Sequence, residues 1–132
     1  MLKKLNHIGI MVDDFEAAVE RFKGFGLPCK EIRENKELGV KVAFLPIGDT
    51  SLELIWHDGP DKGNDPMVST VRGHKGTLNH LCFEVDDFDA TIKDFEEKGA
   101  KLVESCPRLG PHGRIAFFDP ETTEDVLIEF YE

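Results

Sequence analysis

Leu5-Asn6-His7-Ile8-Gly9-Ile10-Met11-Val12-Asp13-Asp14-Phe15-Glu16-Ala17-Ala18-Val19-Glu20-Arg21-Phe22 returns later in the chain as Leu78-Asn79-His80-Leu81-Cys82-Phe83-Glu84-Val85-Asp86-Asp87-Phe88-Asp89-Ala90-Thr91-Ile92-Lys93-Asp94-Phe95. Nine of the eighteen paired positions are identical, at a constant offset of 73 (80 − 7). A recurrence of that length marks two copies of one supersecondary unit. Each copy opens with an alternating apolar run: Ile8, Ile10 and Val12 on one face of a strand, His7, Gly9 and Met11 on the other. An Asp pair follows, suited to capping a helix. Phe15, Ala18, Val19 and Phe22 then fall on one helical face, as do Phe88, Thr91, Ile92 and Phe95. Gly24 with Gly26, and Gly99, end the two helices.

Each helix leads into short strands. In the first half these are Cys29–Arg33, Val40–Ile47 and Ser51–Trp56, with Glu34–Leu38 a loop and Gly48-Asp49-Thr50 a turn. In the second half they are Lys101–Glu104, Arg114–Phe118 and Val126–Tyr131, with Ser105–Gly113 a Pro/Gly loop. The expected architecture is α+β: two tandem βαβββ modules, about residues 4–57 and 77–132, forming a curved mixed sheet. Residues 58–76 are the connector, with a short helical turn expected around Pro66–Val71. At 132 residues the two halves make one domain.

Composition narrows the partners. With 16 Lys and Arg against 26 Asp and Glu, the net charge of -10 disfavours nucleic acid and anionic membrane. No apolar run has the length of a membrane span. Three separated cysteines point to free thiols and a cytoplasmic setting, and the chain has no Cys-x-x-Cys zinc motif. His57 and His74 fall at the connector and are expected in solvent.

Strand alternation assembles a candidate site. The face opposite the helices carries His7 in the first strand and His80 in its copy. Leu52, Leu54 and Trp56 go to the helix, which sends Glu53 to the opposite face; Ile128 and Phe130 do the same for Glu129. A curved sheet would bring two imidazoles and two carboxylates together. An unpaired carboxylate inside an apolar strand is costly, and here there are two. Such a nitrogen–oxygen set suits one divalent first-row ion: Co, Ni, Mn, Zn or Fe. Cys82 shares the face of His80, beside the cup, and is expected there as a packed free thiol; Met11, Leu45 and Phe118 are expected to form the cup's apolar wall. His112 and Gly113 lie in a loop expected to border the substrate pocket.

At these residues the chain resembles the vicinal oxygen chelate superfamily, which includes glyoxalase I, extradiol dioxygenases and bleomycin-resistance proteins. Within it the chain is most similar to the methylmalonyl-CoA epimerases. The resemblance rests on Asn6-His7-Ile8-Gly9-Ile10, Gly39 to Pro46, Gly48-Asp49-Thr50, Leu52-Glu53-Leu54, Asn79-His80, Phe83 to Asp87, Pro107-Arg108, His112-Gly113 and Val126-Leu127-Ile128-Glu129. It implies a glyoxalase-like cup, a homodimer, and one metal held by His7, Glu53, His80 and Glu129. It implies an isomerase acting on a small acyl-CoA. The α-proton would leave and return through an enediolate stabilised by the metal, with Glu129 carrying the proton and Lys41 as second base or as a charge holding the substrate carboxylate. A glyoxalase I-type lyase acting on a glutathione thioester is the alternative, and a metal-free binding or resistance protein a further one. One departure is the acidic stretch Asp119 to Asp125, which opposes CoA phosphates if it meets them.

Overall fold

In the computed structural model, which describes residues 1–37, 39–58 and 78–132, the two halves share one eight-stranded sheet. The first half contributes β1 (Leu2–Met11), α1 (Phe15–Gly24), β2 (Glu31–Asn35), β3 (Val40–Ile47) and β4 (Thr50–His57). The second contributes β5 (Leu78–Val85), α2 (Phe88–Glu97), β6 (Arg108–Leu109), β7 (Arg114–Phe118) and β8 (Ile128–Tyr131). The strand order is β2-β3-β4-β1-β5-β8-β7-β6, so the repeated strands β1 and β5 meet antiparallel at the centre. Each also pairs in parallel with the last strand of its own half, β1 with β4 and β5 with β8. The fold is the expected mixed curled sheet with two helices.

The helices start where the paired aspartates predict. The Asp14 carboxylate accepts from the Ala17 amide at 3.1 Å, and Asp87 accepts from Ala90 at 3.0 Å. Both helices pack on one face of the sheet. Phe15, Ala18, Val19 and Phe22 cover Ile10, Val12, Leu52 and Leu54; Phe88, Ile92 and Phe95 cover Val85, Ala116, Phe118 and Phe130. The other face holds Met11, Val40, Val42 and Ile55 from one half and Ile115, Phe117 and Leu127 from the other. The sheet curls toward that face, and its edge strands β2 and β6 approach each other. Arg33 and Asn35 line one groove together with Arg108 and Leu109.

Several expectations change in detail. The strand at Lys101–Glu104 reduces to a bridge between Leu102 and Phe118, and the short strand of this half forms instead at Arg108–Leu109. The strand placed at Cys29–Arg33 runs over Glu31–Asn35. Leu45 and Phe118 face the helices, so the cup wall is built from their neighbours Phe44 and Phe117. His57 is buried at 4% exposure and paired in register with Val40, not solvated. The connector beyond Asp58, with the turn expected around Pro66–Val71 and with His74, lies outside the described residues. Among the described residues no helix is long and apolar enough to cross a membrane.

Candidate metal centre

His7 and His80 stand on the two central strands, diagonal to one another. In register, His7 faces Cys82 and Gly9 faces His80. Gly9 is required here: a β-carbon at this position would overlap the His80 ring. Glu53 enters from β4 opposite Gly9, and Glu129 from β8 opposite Cys82. The duplication thus puts one carboxylate on each side of the central histidine pair. All four side chains are buried, at 3% to 9% exposure, and all line one cavity of about 130 Å³.

Three atoms form a tight triangle. His7 Nε2 lies 2.9 Å from His80 Nε2 and 3.1 Å from Glu129 Oε2, and His80 Nε2 lies 2.9 Å from the same oxygen. An ion held at about 2.1 Å by three ligands at right angles separates them by about 3.0 Å, the edge of an octahedral face. The chemistry of the donors agrees with the spacing. His7 Nδ1 lies 2.8 Å from Asn6 Oδ1, and His80 Nδ1 lies 2.7 Å from Asn79 Oδ1. An amide oxygen only accepts, so both Nδ1 atoms donate, which leaves each Nε2 turned toward the triangle to meet either a proton or an ion there. A carboxylate and two ring nitrogens facing one another in a buried site call for positive charge between them, from a proton or from an ion. A divalent ion fits that requirement.

Glu53 takes a different place. Its Oε2 lies 2.6 Å from His7 Nδ1, on the side of the ring away from the triangle. It braces the His7 ring by that contact, as an outer carboxylate would if His7 held an ion. Asn6 and Asn79 do the same by shorter reach. The repeated Asn-His pair was the sequence signal for this role, and a lone Gly inside an apolar strand was the signal for Gly9.

Without an ion, protons hold the cluster together. Burial works against the charged form of His7, but its bonds to Cys82, Glu129 and Glu53 outweigh this and raise its pKa well above the usual value. Burial likewise pushes Glu129 up, yet hydrogen bonds from His7 and His80 pull its carboxyl far below the carboxylate range. Burial pushes the Cys82 thiol up to about 12. These directions set a pH dependence for the ion-free protein. His7, raised on folding, stabilises fully below its unfolded value of about 6.5 and loses that contribution as pH rises through the folded value. Glu129, depressed on folding, stabilises above about 4.3 and loses its contribution as pH falls through the folded value. Melting with a chelator should therefore show stability declining on the alkaline side. Excess Mn(II) should flatten that limb, because an ion then does the work of the His7 proton. A parallel alkaline decline in both samples would count against the cluster as its cause.

Lys41 does not reach this cavity. Alternation along β3 puts it on the helix face, 5.2 Å from the Trp56 ring centre and 5.8 Å from that of Phe15, with Glu16 Oε1 3.8 Å from its Nζ. It is a surface cation resting on aromatic rings. Lys41→Ala should leave proton-exchange rates within about twofold and lower stability by about 0.5–1 kcal/mol; kinetics and urea unfolding check both.

His112 lines the cavity from the β6–β7 loop. Its ring centre lies 5.0 Å from that of Phe44, and its Nε2 lies 3.3 Å from Glu31 of the other half. Tyr131 steadies the loop by donating its hydroxyl to the His112 carbonyl at 3.2 Å. Gly113 packs against the backbone of Glu132 and the Tyr131 ring, leaving no room for a β-carbon. Beyond His112 the cavity adjoins the groove of about 410 Å³ between the sheet edges, and Val42, Pro111 and Ile115 line both.

A duplicated βαβββ half, a curled sheet and a buried His–His–Glu triangle define a class of small cup-shaped proteins. The chain belongs to the glyoxalase/bleomycin resistance protein/dioxygenase superfamily, whose family model matches residues 6–118. It is 32% identical over 131 residues to the human mitochondrial methylmalonyl-CoA epimerase, covering 97% of this chain and 73% of that protein. It is 30% identical over 132 residues to the ethylmalonyl-CoA/methylmalonyl-CoA epimerase of Cereibacter sphaeroides, covering 98% and 97%. Among solved structures, a variant of the Streptomyces coelicolor methylmalonyl-CoA epimerase bound to 2-nitronate-propionyl-CoA superposes with a TM-score of 0.82. That pair shares 30% identity over 98% of this chain and 96% of the other.

Proposed function

We propose that the protein is a divalent-metal-dependent epimerase that removes and returns the α-proton of a 2-substituted malonyl-CoA, with methylmalonyl-CoA the first candidate. The observation that carries this is the triangle of His7 Nε2, His80 Nε2 and Glu129 Oε2, set in the wall of a cavity that adjoins a larger groove. The relatives support the substrate class, since those compared above are named as epimerases of such thioesters. His7, His80 and Glu129 would hold the ion. Bound there, it supplies Lewis-acid stabilisation of the negative charge that builds on the thioester oxygen.

The chain's own residues supply the proton transfer. Inverting a carbon centre requires a proton acceptor on one face and a donor on the other. Glu53 and Glu129 come from β4 and β8, on opposite sides of the central strand pair, and both line the cavity. One takes the α-proton while the other returns one. Val42, Phe44, Ile115 and Phe117 line the same space with apolar surface, which limits water at the reacting carbon. The lyase alternative has no particular observation in its favour. A metal-free binding protein has no need of a buried carboxylate converging with two imidazoles.

The test uses one C2 epimer of methylmalonyl-CoA in deuterium oxide with the Co(II)-loaded protein. Deuterium at C2 and formation of the other epimer are expected together. Glu53→Gln, assayed with the ion at saturating concentration, should lose inversion by about 10²-fold or more. Ion-loaded protein that exchanges no α-proton would overturn the activity.

A further inference from the structure

Beside the central histidines the floor of the cup departs from its own twofold symmetry. The offset of the repeat makes Cys82 the counterpart of Gly9. Gly9 faces Glu53 across β1 and β4, whereas Cys82 faces Glu129 across β5 and β8. Where the first half presents a hydrogen, the second presents a thiol, placed opposite His7 in register and fully buried. Its sulfur, one ring nitrogen of His7 and one carboxylate oxygen of Glu129 all lie within 4.8 Å of one another. His7 and Glu129 are themselves buried, at 7% and 5% exposure.

Ion chemistry divides sharply at such a place. Oxygen-preferring ions such as Mn(II) and Mg(II) take six ligands and have little affinity for sulfur. Zn(II) bonds thiolate at about 2.3 Å and is satisfied by four ligands in a tetrahedron. Cd(II) is more thiophilic still. Two histidines, a carboxylate and a thiolate make a complete tetrahedral set, the closed arrangement of structural rather than catalytic sites.

We propose that Cys82 is a conditional fourth protein donor, bonded by thiophilic ions and left as a thiol by harder ones. The inference rests on the triangle being a metal centre. The centre then has two forms. With a hard ion, His7, His80 and Glu129 occupy one face and the remaining positions stay open. With Zn(II) or Cd(II), Cys82 closes the set and substrate is shut out. On closure the thiol S–H bond breaks, a sulfur–metal bond forms, and the proton leaves to solvent; nothing is oxidised or reduced. The protein is thereby inhibited by the soft ions that it binds most tightly.

Cadmium and manganese titrations of wild type, Cys82→Ala and Cys82→Ser test this. Ultraviolet absorbance reads the sulfur-to-cadmium charge-transfer band, and electron paramagnetic resonance reads bound Mn(II). Wild type should develop the band with one equivalent of Cd(II). Both variants should lack it and bind Cd(II) about tenfold or more weaker, with Mn(II) affinity unchanged within about twofold. Each variant keeps Cys29 and Cys106, so a band of equal strength in the variants would assign it to those thiols and overturn the proposal. Absence of the band in wild type that binds Mn(II) would overturn the proposal alone. Wild type that binds neither ion would overturn the metal centre as well. If Cys82→Ala loses Mn(II) through misfolding, Cys82→Ser, closer in shape, decides.

Discussion

Replacing Glu129 with alanine is expected to abolish ion binding and α-proton exchange together. Glu129 Oε2 is the vertex shared by both imidazoles, at 3.1 Å from His7 and 2.9 Å from His80. Without it two nitrogen donors remain in the triangle, and the nearest carboxylate left, Glu53, lies on the far side of the His7 ring. Removing an outer-shell support typically lowers affinity 10–100-fold, so loss of the only carboxylate in the triangle should cost about 10²-fold or more. Exchange should fall by at least as much, because charge stabilisation and a proton carrier vanish at once. The ion-free protein should also lose about 3 kcal/mol, the cost of stripping one partner from a buried pair. Ion titration, deuterium exchange and urea unfolding measure the three effects. Ion affinity within a few-fold of wild type in Glu129→Ala would show that the ion sits elsewhere.

Gly9→Ala should damage the centre almost as severely without touching a donor atom. The added methyl would occupy the space of the His80 ring. The ring is also tied by its Nδ1 to Asn79 and packs at a steep angle against Phe117 at a centroid distance of 5.6 Å. It cannot retreat without giving up those contacts. Displacing one ligand by about 1 Å is enough to cost about 10²-fold in rate. Overpacking at this floor should cost a further 1–3 kcal/mol in stability. Steady-state exchange and thermal melting would read both, and His80→Ala in the same background should add little further loss of exchange. Wild-type exchange in Gly9→Ala would mean that His80 does not need its present position.

Much of this site is legible in the sequence because it rests on parity. Once Leu52, Leu54 and Trp56 are given to the helix, Glu53 must face the cup, and Ile128 with Phe130 place Glu129 in the same way. The repeated Leu5–Phe22 stretch places His7 and His80 with no further assumption. Parity fails where apolar residues occupy both faces. Val42-Ala43-Phe44-Leu45 and Ile115-Ala116-Phe117-Phe118 do not alternate, so nothing in their pattern separates Phe44 from Leu45 or Phe117 from Phe118. A charged residue in such a run is equally ambiguous, and the aromatic rest of Lys41 depends on Phe15 arriving from α1. The pair of residues forming β6 is too short for any period to register. Which ring nitrogen of His7 faces Glu53 is a matter of side-chain rotation. Strand patterns carry no information about it, although they bring both residues to the same wall.

The most direct test of the metal centre is an anomalous diffraction map of crystals grown with Mn(II) or Co(II). The account predicts one peak inside the triangle, about 2.1 Å from His7 Nε2, His80 Nε2 and Glu129 Oε2. No peak there, or a peak held by other residues while the triangle stays closed on its own hydrogen bonds, would contradict it.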